Sequence, residues 1–143
     1  MAFVSLGAIA LHACGDGNDG VFLSRPTNEE FGVVPAHQQE LDRISVYPGS
    51  VRNADTVSTG AGTFTSFCAT ASSERVADYY NEALPLLGWQ STSALTALPS
   101  KDGFQQSATV FVKDKLSLTI YFQNGCKGGR PGDVQVQFRL QEL

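Results

Sequence analysis

Val134-Gln135-Val136-Gln137-Phe138-Arg139-Leu140-Gln141 alternates apolar and polar residues without a slip. Successive side chains of a strand point to opposite faces, so this period of two predicts a β-strand with one buried and one solvated face. The same pattern recurs upstream. Leu116, Leu118, Ile120 and Phe122 alternate with Ser117, Thr119, Tyr121 and Gln123. Before them, Phe104 to Val112 sets Ala108, Val110 and Val112 on one face, and Lys113-Asp114-Lys115 turns the chain. Trp89 opens a further strand that runs to about Leu98, closed by the turn Pro99-Ser100-Lys101-Asp102-Gly103. Four strands in succession predict an antiparallel meander with one wet face.

Upstream of Trp89 the period changes. Val76, Tyr80, Ala83, Leu84 and Leu87 fall on one side of a helix predicted from about Ser73 to Leu87. Ser72 or Ser73 can cap it, and Glu74 sits in the first turn, where the helix dipole favours an anion. Pro85 should kink or tighten the last turn, and Gly88 supplies the stop. Two more strands are expected at about 51–59 and 63–70, joined across Gly60-Ala61-Gly62. Phe64 and Phe67 are out of phase there, which requires either a bulge or burial on both faces. The apolar helix stripe needs a partner, and the apolar sheet face is the large one available. The expected fold is therefore α+β: an antiparallel meander sheet of five to six strands with one helix packed on one face.

The N-terminal third reads differently. Met1 to Ala13 is mostly apolar, ends at Cys14, and is followed by Gly15-Asp16-Gly17-Asn18-Asp19-Gly20. Thirteen residues reach only about 20 Å as a helix, too short to span a bilayer. An apolar run, a small residue and then Cys at the edge of a polar stretch resembles the lipobox of a bacterial lipoprotein processed by signal peptidase II. That resemblance implies a leader over 1–13, acylation of Cys14, a flexible tether over 14–40 and a single domain over 41–143. It also implies an extracytoplasmic address at the bacterial cell envelope, with membrane lipid as a partner through the acyl anchor. Further along, Tyr47-Pro48-Gly49, then Glu74-Arg75-Val76-Ala77-Asp78-Tyr79-Tyr80, then Leu87-Gly88-Trp89 are similar to a recurring domain of small bacterial lipoproteins and exported proteins. This second resemblance implies fold and location, and carries no catalytic residues.

The remaining cysteines, Cys68 and Cys126, form an even pair, readable as a disulfide or as two buried thiols. Exported proteins favour the first. No CxxC spacing exists, so redox and zinc roles are disfavoured.

A chain of 143 residues with net charge −4 and scattered Lys and Arg excludes an ordinary nucleic-acid partner, which needs a concentrated basic face. No serine sits in a Gly-x-Ser-x-Gly elbow, and His12 and His37 are the only histidines. His37 falls in the expected tether. Asp16, Asn18 and Asp19 lack the remaining ligands of a calcium loop. Asp102, Asp114 and Asp133 occupy turn positions that aspartate favours for local hydrogen bonding. Tyr79 and Tyr121 are expected off the core, where a tyrosine can anchor a protein partner. Cys126-Lys127-Gly128-Gly129-Arg130 combines two cations with glycines that can form a backbone nest, so Lys127, Gly128, Gly129 and Arg130 are the candidate anion-binding loop. No catalytic residue, cofactor or metal is expected. The function expected is a non-enzymatic accessory or interaction module anchored outside the cytoplasm. One alternative is a small subunit of a membrane protein complex with residues 1–13 retained. Another is a weak ligand- or anion-binding protein.

Overall fold

The computed structural model describes residues 32–100 and 105–143, and Gly32–Leu143 forms one compact unit. Six strands make a single antiparallel sheet: β1 (Val51–Thr59), β2 (Gly62–Ala69), β3 (Gln90–Leu98), β4 (Gln106–Lys113), β5 (Leu116–Asn124) and β6 (Val134–Glu142). Their spatial order is β1-β2-β6-β5-β4-β3. The expected meander is the run from β3 to β6, and the β1–β2 hairpin adds to its open side by pairing β2 with β6.

That order explains the helix. β2 and β3 lie four strand spacings apart, about 19 Å. The chain crosses this distance over one face of the sheet as α2 (Ser73–Ala83), 11 residues long, or about 16 Å. The Ser72 side chain accepts a hydrogen bond from the Arg75 amide at 3.3 Å, as its capping position requires. Pro85 tightens the last turn into a 3₁₀ segment, Leu84–Leu87, and Gly88 ends it with φ 93°. Val76, Ala77, Tyr80 and Leu84 are buried beneath. They pack with Trp89, just ahead of β3, and with Phe111, Leu118, Ile120, Phe122, Val136, Phe138 and Leu140 of the sheet.

The sheet is regular in its middle and irregular at its rims. β2 pairs with β6 in unbroken register from Thr63–Leu140 to Ala69–Val134. Phe64 and Phe67 therefore face opposite sides. Phe67 joins the core, and the Phe64 ring lies beneath the Arg139 guanidinium at 5.9 Å. Burial on both faces, not a bulge in β2, resolves their phase. The irregularities fall instead in the edge pairs, β1 with β2 and β3 with β4, where bulges discourage edge-to-edge association. In the β1–β2 turn, a Cβ on Gly62 would lie 2.7 Å from the Leu140 carbonyl oxygen, with φ at +130°. Glycine there is a steric necessity.

One expectation is corrected. The described residues hold two α-helices, because Pro35–Asp42 forms α1 ahead of the sheet. The domain boundary expected at residue 41 falls inside this helix, and residues 35–40 of the expected tether are helical. Pro35 supplies the preset φ of a first turn. His37 and Leu41, one turn apart, are its buried residues. His37 Nδ1 lies 2.8 Å from Thr63 Oγ1, which lies 2.7 Å from Ser58 Oγ; that hydroxyl accepts the Val34 amide at 2.9 Å. Across the helix, Glu40 pairs with Lys113 of β4 at 3.0 Å. Two polar anchors thus dock a helix that is poor in apolar residues.

Candidate functional site

The space between α2 and the sheet is filled. Tyr80, Trp89, Phe111 and Phe122 are all at most 1% exposed. Open volume lies at the N-terminal end of α2, as a cleft of about 810 Å³. Its walls come from the start of α2 (Ser72, Ser73, Glu74), the far ends of β3 and β4 (Leu95, Leu98, Gln105, Ser107), and the ends of the β5–β6 loop (Asn124, Gly125, Gly132, Asp133) with Val134. Asn124 is fixed to Gln105 by two hydrogen bonds, its amide to the Gln105 carbonyl at 3.2 Å and its Nδ2 to Oε1 at 3.0 Å. Ser100 also lines the cleft, and residues 101–104 beside it lie outside the described residues.

The lining is mixed in a particular way. Hydroxyls and amides alternate with Leu95, Ala97, Leu98 and Val134, and among the described residues no Lys, Arg or His contributes. The two charged groups among the described residues are carboxylates. Glu74 is exposed, while Asp133 is buried and its Oδ2 accepts the Arg130 amide at 2.7 Å. Such a surface suits a neutral ligand with both hydroxyl and apolar parts, and it repels small anions.

The residues singled out from sequence fall as follows. Cys68 and Cys126 are disulfide-bonded, with Cα atoms 6.0 Å apart, so the β5–β6 loop is tied to β2. The bridge brings Gly125, Gly132 and Asp133 of that loop beside the α2 start. Lys127, Gly128, Gly129 and Arg130 are exposed and do not line the cleft. Two amides of the candidate nest are already used, Gly129 N donating to Cys126 O at 2.9 Å and Arg130 N to Asp133. A Cβ on Gly129 would meet Asp133 Oδ2 at 2.9 Å. The loop closes around its own carboxylate.

Cys14, and with it Asp16, Asn18 and Asp19, lies outside the described residues. His37 is buried against Thr63, away from the cleft. Tyr79 is half-buried, its ring edge-on to Tyr47 and Tyr80 at 5.3 and 5.0 Å. Tyr121 sits on the face opposite the helices, 3.4 Å from Arg139 Nη1. Among the described residues, no group of three or more His, Cys, Asp or Glu is placed to hold a metal ion, and no helix is long and apolar enough to cross a membrane. Sequence reasoning missed the cleft itself. Its one legible signal was the Cys68–Cys126 pair, which as a bridge ties the β5–β6 loop to β2.

A family model described as START domain-like matches residues 48–136. The chain belongs to the START domain-like family. The match runs from the Tyr47-Pro48-Gly49 turn into β6, and α1 lies ahead of the matched residues. In that turn the Ser50 amide donates to the Tyr47 carbonyl at 3.0 Å, with Gly49 at φ +80°. Neither the curated proteins nor the solved structures give a match to this START-like chain.

Proposed function

We propose that this protein is a non-enzymatic ligand-binding module of the bacterial cell envelope, tethered to the membrane through lipid on Cys14, with its ligand held in the cleft at the start of α2. The cleft carries this reading. It is lined for a neutral amphiphilic molecule, and it is framed by the disulfide that orders its loop wall. START-like domains generally bind ligands, which supports a binding role. A disulfide fits an oxidising compartment, as expected of a domain displayed outside the cytoplasm. The carboxylates at the cleft do not form an acid–base pair, since Asp133 holds its own loop while Glu74 stands in solvent. A protein partner in the envelope would meet the same rim.

The test is an amide-resolved NMR titration of residues 32–143 with octyl glucoside, kept below its micelle concentration. Shifts confined to Ser72–Glu74, Leu95–Leu98 and Gly132–Val134, lost in Leu95→Asp, are expected. No shift there, or equal shifts in the variant, would refute the cleft as the site. The anchor is tested separately by mass spectrometry of the native N-terminus. Diacylglyceryl on Cys14 with residues 1–13 removed is expected, and an intact Met1 would refute it.

A further inference from the structure

On the face of the sheet opposite both helices, alternation gathers Gln135 and Gln137 of β6, Tyr121 and Gln123 of β5, and Phe64 of β2 around Arg139. They line a second cavity of about 280 Å³. Arg139 is held in place from three sides. Its Nε donates to the Ala61 carbonyl at 2.9 Å, its Nη1 donates to Tyr121 Oη at 3.4 Å, and its guanidinium lies 5.9 Å from the Phe64 ring centre. No ion pair among the described residues involves it. A half-buried cation fixed by neutral groups and left without a counter-charge forgoes the strong, bidentate pairing that a guanidinium makes with a carboxylate. Order without a counter-ion is what a preorganised anion site requires, because the ligand then does not bear the cost of fixing the side chain.

The surroundings narrow the ligand. One cation, with no second Lys or Arg among the described residues of the cavity, suits a single negative charge better than a dianion. Glutamine side chains both donate and accept, which matches hydroxyl or amide groups beside that charge. The volume, just below the usual range for ligand pockets, limits the molecule to a small one. We infer that the Arg139 cavity binds a small monocarboxylate flanked by hydroxyls or amides, such as a sugar acid or an N-acylated amino acid. The site lies on the other face and turns on Arg139, which does not line the cleft, although Gln106 borders both.

Two probes separate the sources: glucuronate for sugar acids and N-acetylalanine for acylated amino acids, with glucose and inorganic phosphate as controls. Each is titrated into residues 32–143 while the side-chain amide signals of Gln123, Gln135 and Gln137 and the Arg139 Nε signal are followed. One or both carboxylates shift these signals saturably, glucose and phosphate do so at least about tenfold more weakly, and Arg139→Gln weakens the response by about tenfold or more. Arg139→Lys, which keeps the charge but not the fork, falls between, and it carries the test should Arg139→Gln fail to fold. Silence of both carboxylates, phosphate binding as tight as theirs, or undiminished binding in the substituted proteins would each overturn the assignment.

Discussion

Replacing Cys68 and Cys126 together by serine opens a loop whose ends are 58 residues apart in sequence. In the chain-entropy account, closing a loop of that length lowers the entropy of the unfolded chain by an amount worth about 4 kcal/mol at 25 °C. Little of the loss should come from the folded side. Cys68 pairs with Gln135 one residue from the end of a continuous β2–β6 ladder of backbone bonds, so the strand stays put without its sulfur. A domain of this size has about 5–15 kcal/mol of stability in all. In urea, with a slope of about 1.5 kcal/mol per molar, the midpoint should fall by roughly 2–3 M. The assay is equilibrium unfolding of residues 32–143, native against C68S/C126S, with and without dithiothreitol. Reductant should move the native midpoint onto that of the variant and leave the variant unmoved. A native midpoint indifferent to reductant, or equal to that of the variant, would refute the bridge. Unchanged octyl glucoside shifts at Gly132–Val134 in the variant would show that the bridge stabilises the fold without shaping the cleft.

Three other outcomes follow from single residues. Burial pushes the Tyr80 phenol far above its ordinary value of 10.0, so above pH ~10 the unfolded chain ionises there while the folded one does not. Stability should therefore drop as pH rises past that point. Tyr80→Phe should flatten the drop while costing about 1 kcal/mol at neutral pH for the lost bond to the Ser45 carbonyl, and an unaltered alkaline limb in the variant would contradict the burial. Gly62→Ala should destabilise by roughly 1–3 kcal/mol, since its Cβ must push the Leu140 carbonyl aside in a backbone conformation that suits glycine; a neutral result in urea unfolding would mean the β1–β2 turn is wrongly placed. His37→Ala should cost roughly 1–3 kcal/mol by leaving Thr63 half-satisfied, and amide exchange should speed up first in α1 if that residue docks the helix.

Strict alternation made β5 and β6 readable because each has one buried and one half-exposed face, so hydrophobicity reports side directly. The same logic made α2 readable through its stripe, its Ser72 cap and its Gly88 stop. It failed for α1, which is eight residues long and presents only His37 and Leu41 to the core. A helix held by a histidine–threonine bond and a Glu40–Lys113 pair leaves no apolar period to find. The pairing of β2 with β6 was also illegible, since it joins segments some seventy residues apart and nothing local records it. The cleft was hidden for the same reason: its walls come from three separated stretches of chain. The Cys68–Cys126 pair was the one long-range signal on view. Arg139 was visible as a polar residue in an alternating strand, but its lack of a counter-charge shows only once Phe64 and Tyr121 are placed around it.

The filled helix–sheet layer decides where binding can occur. Admitting a ligand beneath α2 would mean displacing aromatic side chains such as Phe122 or Trp89, and removing one such side chain from a core costs about 3–5 kcal/mol. That is a large part of the stability expected of the whole domain. A cleft at the end of α2 and a cavity on the opposite face have no such cost, because their linings are already partly solvated. Their electrostatics differ: carboxylates border the first, and the second holds a guanidinium with no ion-pair partner among the described residues. On the proposed reading, an anion is repelled by the carboxylates of the first and attracted by the guanidinium of the second, with the filled core unchanged between them.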